Sequence, residues 1–271
     1  MCRNLEDEVL LNVFDLELDY QTELPFPTII RRAPGTAIRG FQVFGERNSG
    51  TNFLEHLIER NTSLKAVRHY GWKHGFPVSI AYHPQSLILL IYRDPVNWLV
   101  SMYNSPYASL DCVNLSSFSS FIRSEWGSFL RWHSNERWGG TWNATIVPGL
   151  DGQECVFDRN PIRGERFTDF FELRWYKLGC GLSLRNRECN FIALPYEGVS
   201  NHRQSFIKYL RTLIGDEESD RFDPIGKKVS PKSARRRPLF RREMIEIEDS
   251  SYISRKLDHS LERAVGYDIK F

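Results

Sequence analysis

The sequence predicts an α/β domain: a central, mainly parallel sheet flanked by helices in three layers. Three observations carry that prediction. Leu87-Ile88-Leu89-Leu90-Ile91-Tyr92 is an unbroken apolar run, the pattern of a strand buried on both faces, as parallel strands are. Gly45-Glu46-Arg47-Asn48-Ser49-Gly50-Thr51-Asn52 separates a short strand pattern (Phe41, Val43, Phe44) from one apolar helix face (Phe53, Leu54, Leu57, Ile58). Arg93-Asp94-Pro95 ends the apolar run with an N-cap residue and a first-turn proline, so a helix starts at once. Strands that alternate directly with helices build parallel sheets.

The chain has 271 residues, 41% of them apolar, enough to fill a core, and it reads as a single domain over 1–271. A formal net charge of +2 is too small to argue for a nucleic-acid partner. The longest apolar run is far too short to span a bilayer, and the acidic N-terminus lacks an apolar segment after a basic start. Neither a signal peptide nor a membrane anchor is therefore expected. Cys2, Cys112, Cys155, Cys180 and Cys189 are odd in number, widely spaced and without a Cys-x-x-Cys pair. That usage points to reduced thiols in a cytoplasmic compartment rather than to a disulfide scaffold or a zinc site.

Taken in order, residues 1–37 form an N-terminal extension that supplies a strand or hairpin to the main sheet and is then broken by Pro25, Pro27 and Pro34-Gly35. The 45–52 turn follows a strand and opens a helix, so its N–H groups and the helix dipole make an anion cradle. A second strand is expected over Ser63–Tyr70, ending in Gly71-Trp72-Lys73-His74-Gly75. Lys73 and His74 thus fall at the carboxyl edge of the sheet, where open α/β sheets bind ligands. Arg93 falls at the same edge and needs an anionic partner, either a ligand or one of the chain's own carboxylates. Ser101 lies two turns along the helix that follows.

The segment 105–190 is rich in aromatic residues. Helices are expected over Ser117–Arg131 and Phe167–Leu178, with loops or a hairpin over 139–161. Trp126, Trp132, Trp138, Trp142 and Trp175 fit either an acceptor pocket or ordinary core. Asn190–Pro195 reads as a further strand leading into Tyr196-Glu197, and His202–Ile214 as an amphipathic helix. The basic run from Lys227 to Arg237, with Arg241-Arg242 beyond it, fits a solvated loop, a nucleic-acid arm or a lid over a polyanionic ligand. A polar helix from Glu243 or Tyr252 to Ala264, closed by Gly266, ends the chain.

Gly45 and Gly50 have the spacing of the ATP-binding pattern G-x-x-x-x-G-K-[ST]. Thr51, however, stands at the lysine position and Asn52 at the metal-binding hydroxyl position. This argues for a nucleotide without a γ-phosphate and without a required Mg²⁺. The loop resembles the 5′-phosphosulfate loop of the sulfotransferases that use 3′-phosphoadenosine 5′-phosphosulfate (PAPS), whose core is a basic residue followed by Ser-Gly-Thr, here Ser49-Gly50-Thr51. Arg93-Asp94-Pro95 with Ser101 and Tyr103 is similar to that family's 3′-phosphate motif, and Tyr196-Glu197 to its later Tyr-Glu pair. The resemblance covers residues 38–104 well and 190–200 loosely.

It implies a P-loop-type fold and transfer of a sulfuryl group from PAPS to a hydroxyl of a glycan or small metabolite. The nucleotide product would be 3′,5′-adenosine bisphosphate, and no metal would be needed. It also implies a cofactor site of Arg47, Asn48, Ser49, Gly50, Thr51, Asn52, Arg93, Ser101 and Tyr196. Within it, Ser49 to Asn52 would hold the 5′-phosphate, and Arg93 and Ser101 the 3′-phosphate. His74 would be the base, and Lys73 and Arg47 the cations at the transferring group. Two departures stand out. Asn48 occupies the usual basic position, so Arg47 or Lys73 must supply that charge, and the family's C-terminal cofactor loop has only the 227–237 run in its place. The 105–190 insert would form the acceptor side. A P-loop nucleotide kinase or phosphotransferase, and a non-catalytic nucleotide- or glycan-binding module, are the alternatives.

Overall fold

The computed structural model describes residues 24–32, 37–106, 114–129, 153–155, 158–187, 189–216, 221–225 and 239–269. The basic run at 227–237, most of the 139–161 loops, and Trp132, Trp138 and Trp142 lie outside them. Strands β1 (Ile29–Arg31), β2 (Gly40–Phe44), β3 (Lys65–Ala66), β4 (Ser86–Tyr92) and β5 (Asn190–Pro195) form one sheet of order β1-β5-β4-β2-β3. β2 pairs in parallel with β3 and β4, and β4 with β5. β1, the described strand of the N-terminal extension, adds an antiparallel edge to β5.

The helices are α1 (Thr51–Asn61), α2 (Pro95–Asn104), α3 (Phe118–Ile122), α4 (Phe170–Leu182), α5 (Tyr196–Asn201), α6 (Arg203–Ile214), α7 (Ile247–Lys256) and α8 (His259–Ala264). Alternation along the strands sends Phe41, Val43, Leu87, Leu89, Ile91, Ile192 and Leu194 to one face, where α1 and α6 pack. Phe44, Ile88, Leu90, Tyr92, Phe191 and Ala193 go to the other, under α4 and α8. Every residue of β2, β4 and β5 is buried, as strands covered on both faces must be. The expected three layers are present.

An aromatic cluster lies beside them. Trp98, Phe118, Phe121, Trp126, Phe167 and Phe170 pack α2, α3 and α4 together, with Ile253 of α7. Trp126 is fully buried there, so within the described residues the aromatic insert contributes core.

Several boundaries differ from expectation, two because a tertiary hydrogen bond captures a backbone group and two because a local aspartate caps a new helix start. The helix expected over 117–131 stops at Ile122, because the Trp126 amide donates to Phe167 O (2.9 Å) instead of continuing the helix. The strand expected over 63–70 shrinks to Lys65–Ala66, and the Gln42 side chain takes the Tyr70 amide (3.1 Å). The helix expected from Phe167 begins at Phe170, where Asp169 caps the amides of Phe171 and Glu172. The single C-terminal helix divides at Leu257, and Asp258 caps a new one by accepting from Ser260 and Leu261.

The strand order locates the binding edge. From β2 the chain crosses to β3 on one side. From β4 it crosses to β5 on the other. The carboxyl ends of β2 and β4 therefore flank a switch point, the crevice where open α/β sheets take ligands. The 45–50 loop leaves β2 there, and Arg93 leaves β4. The two ends touch closely, because a Cβ added to Gly45 would lie 2.3 Å from Ile91 O. Gly45→Ala should consequently cost about 1–3 kcal/mol, read as a lower urea midpoint at unchanged m-value. Gly164→Ala, with nothing within 4 Å of the new methyl, gives the cost of a positive φ alone. Equal losses in the two variants would mean that the loop is not pressed onto β4.

Candidate functional site

The loop ends at Gly50, which sits at φ 96° as the N-cap of α1 and brings no side chain to cap it. First-turn N–H groups of a helix have no partner inside it, so an uncapped start on a positive dipole end is suited to an anion. The Tyr196 ring closes one side. A Cβ on Gly50 would come within 2.4 Å of Tyr196 Cδ2, so only glycine lets the ring approach.

Asn48 has φ 63°, the left-handed region that asparagine tolerates better than most residues. Its side chain turns to the end of α2, where Nδ2 donates to Ser105 O (3.0 Å). A charged side chain is not needed at this position. The asparagine makes the turn and ties it to α2.

Lys73 and His74 flank the loop on one side through the backbone. The Gly45 amide donates to Lys73 O (3.0 Å), and His74 Nδ1 lies 2.8 Å from Gly45 O. A carbonyl can only accept, so Nδ1 carries the proton and neutral His74 keeps its lone pair on Nε2. Burial, then the positive charges of Arg47 and Lys73, hold the His74 pKa well below the usual histidine value. His74 is therefore neutral at pH 7. Lys73 Nζ reaches Asn52 Oδ1 (2.5 Å) and Glu55 Oε2 (2.8 Å), both on α1, which seats the ammonium beside the first turn of that helix. Burial lowers its pKa, and Glu55 works against that shift.

Arg47 points the other way. Its side chain is 4% exposed and pairs with the fully buried Asp158 at 2.5 Å. The guanidinium lies over the rings of Trp72 (4.7 Å) and Trp126 (5.3 Å). Asp158 also accepts from Ser128 Oγ (2.6 Å) and from Lys177 Nζ. Burial alone would raise the Asp158 pKa, but Arg47 and Lys177 more than offset it and hold the carboxyl well below the usual range. Arg47 thus braces the loop from beneath, and the cation beside the cradle on that side is Lys73.

Glu46 belongs to the same buried group. Lys177 Nζ lies 3.0 Å from its Oε1 without the alignment of a hydrogen bond, and neither Glu46 oxygen has a hydrogen-bond partner among the described residues. Burial pushes its pKa up.

Arg93 holds the opposite side. Nη1 donates to Asn48 O (3.1 Å), bridging the switch point, and the guanidinium stacks on Tyr196 (5.1 Å). Of the two partners open to it from sequence, one of the chain's own carboxylates is present but distant, because Glu197 stands 3.8 Å from Nε. Nε itself is buried with no hydrogen bond among the described residues. Glu197 is engaged elsewhere, accepting from the Asp94 amide (3.3 Å) and from Tyr267 Oη (2.7 Å). Ser101 is half-buried on α2. Behind Arg93, Arg174 forms a buried two-pronged pair with Glu262 (2.5 and 2.8 Å) and donates to Arg93 O (3.0 Å).

Lys73, His74, Arg93 and Tyr196, all expected from sequence, therefore all contact the 45–50 loop. Asp158, Lys177, Glu46, Glu55 and the Arg174–Glu262 pair were not expected. One signal was available for two of them. Arg174 and Lys177 fall on the buried stripe of α4 with Phe170, Leu173 and Leu178, and cations on an apolar stripe need buried anions. No local pattern reveals Asp158, whose partner Arg47 is 111 positions away.

No protein-family model and no curated protein matches the chain. Among the described residues no helix is long and apolar enough to cross a membrane.

Removing one partner of a buried ion pair leaves an uncompensated charge. Asp158→Asn should therefore lower stability by about 3–5 kcal/mol in urea unfolding at pH 7. A loss below about 1 kcal/mol would mean that Arg47 and Lys177 do not depend on Asp158.

Proposed function

We propose that the chain is a sulfotransferase that moves a sulfuryl group from PAPS to an acceptor hydroxyl on a glycan or small metabolite. One observation carries the reading: His74, from the turn well beyond β3, and Arg93, from the end of β4, both hydrogen-bond the same loop, at Gly45 O and Asn48 O. The proposed base and the proposed anion-binding arginine thus hold the loop that leads into the uncapped start of α1.

The fit to the donor rests on two features of the site. Arg93 has a buried Nε without a hydrogen-bond partner among the described residues, and Gly50 leaves the α1 start without a cap. Thr51, Asn52 and the α1 amides would hold the 5′-phosphate. Arg93 and Ser101 would hold the 3′-phosphate, with Tyr196 fixing the guanidinium. PAPS supplies the sulfuryl group. His74 Nε2 takes the proton of the acceptor hydroxyl, which it can do only while neutral. Lys73 sets a positive charge beside the α1 N-terminus, where negative charge builds. The insert around 105–190 would form the acceptor side. The inward turn of Arg47 favours a second reading, a module that binds the nucleotide without transfer, since it withdraws one cation from the cradle.

Calorimetry with 3′,5′-adenosine bisphosphate should show micromolar binding without added metal. Arg93→Ala should cut the preference for the bisphosphate over AMP by about 10–100-fold, the weight of a charge-assisted hydrogen bond. An unchanged ratio would remove Arg93 from the site.

If His74 is the base, protonating it abolishes its function, so activity falls as pH drops through its pKa. That pKa is held below 6.5, so the acid limb of turnover should lie below pH 6.5, with a flat rate from there to pH 8. His74→Ala should lower turnover about 10²–10⁴-fold with little change in donor KM. An acid limb at or above pH 6.5, retained in the variant, would assign the base elsewhere.

A further inference from the structure

We propose that Lys177 is a positioning residue for His74. Its ammonium, locked by Asp158, fixes the 73–75 turn so that the His74 ring keeps its Nδ1–H on Gly45. Lys177 Nζ donates to the His74 carbonyl at 2.6 Å and pairs with Asp158 Oδ1. It lies near the Trp72 and Phe76 rings, 5.9 and 5.6 Å away, which flank that turn. The side chain is 5% exposed.

An apolar side chain of similar length would fill this space at lower desolvation cost. It could not hold a backbone carbonyl. His74 is thus gripped twice, at its carbonyl by α4 and at its ring by the loop, while the Trp72 edge packs against it (5.6 Å). The charged groups facing the ring are Arg47, Lys73 and Lys177, and those facing Lys177 are Asp158 and Glu46. Replacing Lys177 releases the turn and removes one of the three cations around the imidazole. Both changes let His74 titrate more like a free histidine. Only the activity readout of this inference rests on the sulfuryl-transfer reading.

The test uses the full chain carrying Lys177→Met, which removes the ammonium and leaves Asp158 paired with Arg47 and Ser128. Proton NMR follows the His74 ring resonance, identified by its loss in His74→Gln, across the acid range. The inference expects its pKa to rise towards 6.5. It also expects turnover with PAPS and acceptor to fall about 10–100-fold, the scale of a small misplacement of a catalytic group, while bisphosphate affinity stays within threefold. A folded variant whose His74 titrates as in the parent overturns it, whatever the activity. If that variant does not fold, Lys177→Leu, which likewise lacks both the donor and the charge, is read in the same titration. There an unchanged His74 pKa overturns the inference and a raised one supports it. Absence of bisphosphate binding in the parent as well would defeat the sulfuryl-transfer reading, and the ring titration would still decide the role of Lys177.

Discussion

The carboxylate of Asp158 accepts from Arg47, Lys177 and Ser128 at once, in a place shut off from water. Three parts of the chain distant in sequence meet at that point: the loop after β2, helix α4 and the insert before α4. Because each cation is almost fully buried, neither can turn to solvent if the carboxylate is lost, and both would carry the full cost of an unpaired charge. The loop after β2 is thereby held from beneath by buried ion pairs. Arg47 fixes the loop, Lys177 fixes the turn that carries Lys73 and His74, and the order of the crevice follows from both.

That arrangement explains why Asn48 can stand where a basic residue is usual in the family the loop resembles. The position has a left-handed backbone, which suits asparagine, and its side chain ties the loop to the end of α2. The cation beside the start of α1 is instead Lys73, seated by Asn52 and Glu55 of that helix. Across the crevice, Arg93 is set by Tyr196 and by the Asn48 carbonyl, while Arg174 and Glu262 anchor the strand end behind it. Lys73 and Arg93 thus stand at two sides of the loop and the helix it opens.

Much of this was legible in the sequence because it is local. The apolar run 87–92 gave β4, Asp94-Pro95 gave the start of α2, and the glycines at 45 and 50 marked the loop at its junction. Arg93 and Tyr196 directly follow strands, so the parallel sheet brought them to one edge, and hydrogen bonds to Gly45 brought the turn at Lys73 and His74 to the same loop. What could not be read was long-range. The inward turn of Arg47 depends on Asp158, more than a hundred residues away. The early ends of the 63–70 strand and the 117–131 helix depend on the Gln42 side chain and the Phe167 carbonyl, which no periodicity contains. Trp126 fitted either a pocket or core, and its burial against Phe170 decided for core.

The central claim is that this crevice performs sulfuryl transfer with His74 as base. Incubation with radiolabelled PAPS and a panel of glycans and phenols tests it most directly. The account predicts label on an acceptor hydroxyl without added metal, lost in His74→Ala while that variant still binds 3′,5′-adenosine bisphosphate. Tight bisphosphate binding with no label moved to any acceptor, or equal transfer by the parent and His74→Ala, would contradict it.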